Sequence, residues 1–258
     1  MEFEGDIARK RGEPSLLAVE AAKASRALEI GKHSGLFRVP RVINLDAETG
    51  VLEFERLREL ATLLDLAVRK DARLPGLLEK AGRALAAVHE ELTLPEDMKV
   101  ALPSIWMCRA GENVCIHGDF ACINVCVDES SDELVILDWS AAPIVGRTPT
   151  FGGRYFDIVL FVNSLFQGAP CLRVLGWNAA AMAELFLKGY AEESPETKLT
   201  MLRDYSSEML RLQRENIRRV SRERRSLIAL FYTCCQMLMY ARFRSFLRRH
   251  EQLSLIHI

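Results

Sequence analysis

The chain has 258 residues, 49% of them apolar and 27% charged, with a formal net charge of −1. This reads as an ordinary globular chain and not a disordered one, and allows one domain of two lobes or two small domains. The charge is uneven, since from Met201 onward 12 Arg and no Lys stand against 5 acids, about +7, leaving about −8 elsewhere. The basic stretch reads as a solvated helix face with internal Arg–Glu pairs. No aromatic-interleaved basic motif accompanies it, so no nucleic-acid partner is expected.

The seven Cys are odd in number and scattered, and the start of the chain lacks the apolar stretch of a secretory signal. Reduced thiols in a cytoplasmic protein are the expectation. Cys122 and Cys126 have no second ligand pair after them, which argues against zinc. The longest apolar run, Leu227–Ala241, is interrupted by Thr233 and Gln236, and reads as a buried helix rather than a membrane span.

In chain order, Asp6–Gly12 is a candidate strand, and Ser15–Ser34 a helix with Pro14 at its start and Gly35 after its end. Arg41–Leu45 and Val51–Phe54 flank an Asp46–Gly50 turn and read as a hairpin. Leu57–Arg69 and Leu74–Leu92 read as helices, the second from Leu78, Ala81, Leu85 and Val88 at helical spacing. Asn113–His117, Ile123–Val127 and Leu134–Asp138 are three short apolar strands. A Pro/Gly-rich loop, Ala141–Arg154, follows them. The remainder reads as helices at Tyr155–Gln167, Asn178–Glu193, about Lys198–Arg225 and Leu227–His250. The order predicts an α+β fold of two lobes, with Phe54–Leu57 as connector.

The chemistry concentrates in His117-Gly118-Asp119-Phe120-Ala121-Cys122-Ile123-Asn124 and in Val135-Ile136-Leu137-Asp138-Trp139. An ionised carboxylate at the end of a buried strand needs a partner or a metal. If Ile123–Val127 and Leu134–Asp138 form a hairpin, Asn124 and Asp138 meet at its open end. Together they make a hard-oxygen site suited to Mg²⁺. Asp119 would then lie beside the metal, where an acceptor hydroxyl must be oriented and deprotonated.

His-x-Asp-x4-Asn followed by a metal-binding Asp is the pattern of kinase catalytic loops. Gly118 after the His, and Asp138-Trp139-Ser140 in the final triplet, resemble the aminoglycoside phosphotransferase and choline kinase superfamily of small-molecule kinases. Leu85-Ala86-Ala87-Val88-His89, Phe156-Asp157-Ile158-Val159 and Glu53-Phe54-Glu55-Arg56-Leu57 resemble further segments of it, over about Ile7 to Tyr190.

The resemblance implies a protein kinase-like two-lobed fold with a reduced N-terminal lobe, 1–57, and a mostly helical C-terminal lobe, 58–258. It implies ATP and Mg²⁺ as cofactors and a small-molecule hydroxyl substrate. Asp119 resembles the catalytic base, and Asn124 and Asp138 the metal ligands. His117 and Asp157 resemble the pair that braces the catalytic loop. Lys10, with Arg9 and Arg11 as alternatives, resembles the strand lysine and Glu20 its helix partner, and the main chain around Glu55–Leu57 would meet adenine. His89 is expected to pack.

One departure stands out. Nine residues precede Lys10, too few for two strands and a phosphate-covering turn. A truncated kinase, a kinase that covers its phosphates differently, and a catalytically impaired nucleotide-binding or scaffold relative all fit that observation. The Arg-rich last helices argue for a neutral or anionic acceptor over a cationic aminoglycoside.

Overall fold

The computed structural model describes residues 1–109, 112–141, 148–223 and 226–255. At the N-terminus a tight turn at Gly5-Asp6 joins β1 (Glu2–Glu4) to β2 (Ile7–Arg11). Gly5 takes the left-handed φ of 55° that such a turn demands. There is thus room for one strand and a turn ahead of the Lys10 strand.

Pro14 opens α1 (Pro14–Ser34), where its fixed φ suits the first turn, and Gly35 closes it at φ 66°. The expected hairpin is β3 (Val42–Asp46) and β4 (Val51–Glu55), with a register shift between Val42 and Asn44. The sheet order is β1-β2-β4-β3, all antiparallel. Leu17 and Ala21 of α1 pack with Leu52 of β4 as a small separate core.

The helix expected from Leu57 starts later. Leu60–Thr62 is a strand, β5, paired with β7 (Val125–Asp128), and the helix α2 is Leu63–Arg69. A capping box sets that start. Thr62 Oγ1 accepts from Asp65 N at 3.0 Å, and Asp65 accepts from Thr62 N at 3.0 Å. Helix α3 (Leu74–Glu91) follows, then β6 (Asn113–Cys115), β7 and β8 (Glu133–Ile136). The loop expected over Ala141–Arg154 contains a strand, β9 (Phe151–Gly153), paired with β6. Two of its three residues are Gly, which hides the strand from pattern reading. A side chain on Gly152 would strike Leu102, and one on Gly153 the Trp106 backbone. Positions 142–147 of that expected loop lie outside the described residues.

Helices α4 (Tyr155–Gln167), α5 (Ala179–Glu193), α6 (Leu202–Glu223) and α7 (Leu227–Leu255) complete the chain. One continuous core runs through α3, α4 and α5, around Leu85, Phe156, Phe161 and Phe186. On α6, Arg211 pairs with Glu208 and with Glu215, the latter at 2.6 Å, while Arg242 of α7 donates to Val174 O at 2.6 Å. These three contacts tie Arg side chains to the protein itself. Among the described residues no helix is long and apolar enough to cross a membrane.

The β1–β4 sheet with α1 forms one lobe, and the helices with the two small sheets form the other. Besides the connector after β4, Arg38 joins them: its N–H donates to Leu134 O at 2.7 Å, and its carbonyl accepts from Ile136 N at 3.0 Å.

Candidate active site

The hairpin β7–β8 pairs Val125 with Ile136, and Leu137 N donates to Asn124 O at 2.8 Å. Asn124 and Asp138 therefore leave the hairpin side by side at its open end. Asn124 Nδ2 donates to both Asp119 O and Asp119 Oδ2 at 3.0 Å. This commits the amide nitrogen to the neighbouring acid and turns the amide's acceptor oxygen away from it. Asp138 sits at φ 53°, a conformation rare outside Gly and concentrated at functional sites.

The two carboxylates are tuned apart. Burial, then the nearby Asp138 charge, push Asp119 up to about 6, against the Asn124 hydrogen bond. Burial also works against ionisation of Asp138, but the Ser140 hydroxyl at 2.6 Å and the Lys10 ammonium outweigh it and hold the carboxyl below its usual range. One group is poised to take a proton near neutrality, and its neighbour stays anionic.

Lys10 of β2 reaches the same place from the other lobe. Its Nζ lies 2.8 Å from Glu20 Oε1 and 3.0 Å from Asp138 Oδ1. Burial disfavours the ammonium, yet the two carboxylates, Glu20 first, raise it above the ordinary lysine value. The spacing of ten residues between Lys10 and Glu20 is bridged because β2 turns back into α1 through Gly12-Glu13.

A cavity of about 400 Å³ lies between the lobes, lined by Lys10, Glu20, Asn124 and Asp138 at one end. Ala8, Val39, Phe54, Leu57 and Leu137 are among its apolar lining residues, and Glu55 also lines it. Two connector amides are committed: Glu55 N donates to Arg41 O at 2.8 Å and Arg56 N to Asp6 O at 2.9 Å. A larger cleft of about 780 Å³ between α2 and α5 contains no carboxylate and lies apart from this cluster.

The loop carrying Asp119 is braced from below. Asp157, fully buried on the first turn of α4, accepts from His117 N at 2.7 Å and Gly118 N at 2.9 Å. Its side-chain partner is His89 of α3, at 3.0 Å, and not the His117 ring; His89 in turn bonds Tyr190 OH at 2.8 Å. The His117 ring packs against Trp139, centroids 4.4 Å apart, and Phe120. Burial pushes it down to about 3, so it is neutral, and its Nδ1 accepts from Asp119 N at 3.2 Å.

Of the nine expected site residues, Asp119, Asn124, Asp138, Lys10 and Glu20 form one linked cluster. Glu55 and Leu57 line the cavity, and His117 and Asp157 lie behind the loop. His89 packs as expected but also positions Asp157. The His that ends the Leu85-Ala86-Ala87-Val88-His89 segment was the available signal for that. Lys23, buried on α1 with its Nζ donating to His117 O, carried no signal at all.

As a magnesium site, Asn124 and Asp138 offer two oxygens, one anionic. Among the described residues no group of three or more His, Cys, Asp or Glu is placed to hold a metal. Two protein ligands fit Mg²⁺, which keeps waters and takes phosphate oxygens, and do not fit a closed zinc site.

No family model matches the chain, and no curated protein matches it in sequence. Solved structures match it in fold. A choline/ethanolamine kinase family protein from Mesorhizobium loti aligns with TM-score 0.52 at 16% identity, over 95% of this chain and 87% of that one. The choline kinase LicA from Streptococcus pneumoniae aligns with TM-score 0.52 at 12% identity, over 94% and 86%. A glucosamine kinase, solved with glucosamine, ADP and inorganic phosphate, aligns with TM-score 0.56 at 13% identity, over 90% and 74%. The chain has the two-lobed α+β fold of these small-molecule kinases.

Proposed function

We propose that this chain is an ATP-dependent phosphotransferase that moves the γ-phosphoryl group to a hydroxyl of a small molecule. The observation that carries the reading is the meeting of Lys10 and Asp138, from opposite lobes, at 3.0 Å beside Asn124 and Asp119. Four residues of kinds that phosphoryl transfer uses are linked here, and three of them, Lys10, Asn124 and Asp138, line the cavity of about 400 Å³.

In this reading Leu57 and the apolar walls receive the base, and the lobe of residues 1–57 serves the nucleotide. Residues 58–258 carry the catalytic loop and the acceptor site. Lys10, oriented by Glu20, presents its ammonium to phosphate oxygens. Asn124 and Asp138 would hold Mg²⁺, which would supply neutralisation of phosphate charge. Asp119 orients the acceptor hydroxyl and takes its proton, a task suited to a carboxyl pushed up to about 6. Asn124 fixes the Asp119 side chain, and Asp157 fixes the loop backbone. Positioning and electrostatics supply most of the rate.

The Arg211 and Arg242 pairings weaken the argument from Arg-rich helices to an anionic acceptor, because those side chains are occupied within the protein. A panel of amino alcohols, hexosamines and aminoglycosides tests the reading directly. Wild type is expected to consume MgATP with at least one of them, and Asp119→Ala to lose about 10²-fold or more in kcat. Equal consumption by both proteins on every acceptor contradicts the assignment.

A further inference from the structure

Lys23 lies one turn after Glu20 on α1 and is 1% exposed. A lysine on the first helix of a small lobe ordinarily ends in solvent. This one points into the other lobe, and its Nζ donates to the main-chain carbonyl of His117. The N–H of the same residue donates to Asp157 Oδ2 at 2.7 Å. The backbone at His117 is therefore held on both sides, from α1 by a cation and from α4 by an anion.

Two residues further on is Asp119, whose N–H donates to the His117 ring at 3.2 Å. A shift of His117 is transmitted to Asp119 through two peptide units and that hydrogen bond. On the α1 side, the same helix carries Glu20, which orients Lys10 against Asp138. One helix thus touches the phosphate-facing lysine with one side chain and the base-bearing loop with the next.

We infer that Lys23 is a positioning residue: it ties α1 to the catalytic loop, so that Lys10 and Asp119 are held in register across the two lobes. The inference rests on the phosphotransferase reading above. An apolar side chain would fill the same space without desolvating an ammonium, and would leave the His117 carbonyl without this donor. Burial pushes the Lys23 ammonium down to about 8, against the pull of Asp157 and Glu20. A group held there at such a cost to its charge is explained by what it grips.

The test uses Lys23→Met, of similar length, and Lys23→Gln, which keeps a shorter donor. Each is compared with wild type in MgATP consumption with the acceptor that wild type uses best and in amide hydrogen exchange at His117–Asn124. The expected result for Lys23→Met is a kcat lower by about 10- to 100-fold. KM for MgATP should stay within about threefold, and the loop amides should exchange about tenfold faster. Lys23→Gln is expected to recover part of both effects. A folded Lys23→Met protein with unchanged kcat and unchanged exchange overturns the inference. So does a rise in KM alone, which would make Lys23 a nucleotide-binding group. If neither variant folds, Lys23 serves overall stability and the positioning role is likewise overturned. A wild-type protein that consumes no MgATP with any acceptor of the panel, water included, sinks the phosphotransferase reading instead, and the exchange rates then decide the tether by themselves.

Discussion

Asp119 binds a proton more tightly in the folded chain than in the unfolded one, because burial and Asp138 oppose its charge and push it up to about 6. Between the unfolded value near 3.8 and that folded value, the folded state holds a proton that the unfolded state has lost. Stability therefore falls as pH rises through this window, and the whole penalty is present at pH 7. Asp119→Asn, which keeps an acceptor for Asn124, should melt higher than wild type at pH 7 in the absence of divalent metal. The gain should be about 1–2 kcal/mol after allowance for solvent screening. It should vanish below about pH 4. Thermal unfolding in chelator at both pH values checks this, and equal melting at pH 7 would count against it. At this scale the sequence was informative for Asp119, Asn124 and Asp138, because acids and amides at strand ends have few structural uses. It was uninformative for Lys23, because nothing in a helical lysine's neighbours along the chain says which way it points.

Helix α4 contributes one carboxylate that organises the loop ahead of Asp119. Asp157→Ala would leave the His117 and Gly118 amides without their acceptor and strip the buried Lys23 of the nearest opposing charge from the far side of the loop. Loss of one partner from so buried a network should cost about 3–5 kcal/mol. Denaturant unfolding measures it, and a loss below about 1 kcal/mol would show the bracing to be unimportant. Helices α3 and α5 meet through two glycines. A side chain at Gly82 would collide with the Phe186 backbone, and one at Gly189 with the Glu79 backbone. Gly82→Ala should therefore destabilise by about 1–3 kcal/mol by forcing the helices apart, although alanine is the better helix former. Unchanged stability would mean that the helices separate freely. Long periodic elements such as α3 and α4 were legible within a residue or two. The strands β5 and β9 were not. One is three residues long and runs directly into a capping box, and the other is mostly glycine, so both owe their conformation to partners distant in sequence.

Across the molecule, the two lobes meet at the Lys10–Asp138 contact, at the Arg38 backbone bridge to β8, and at the Lys23 tether. The two-lobed plan was legible from the order of the elements, with Phe54–Leu57 as connector, and from the catalytic-loop motif. The closure between lobes was not, since it depends on side chains 128 residues apart in the chain. That closure is the proposed binding site of a magnesium nucleotide. Calorimetric titration of MgATP into wild type and into Asp138→Ala tests it most directly. Wild type should bind one equivalent with a strict requirement for Mg²⁺, and Asp138→Ala should lose that requirement together with about tenfold or more of the affinity. Absence of binding by wild type, or equal and magnesium-independent binding by both, would contradict it.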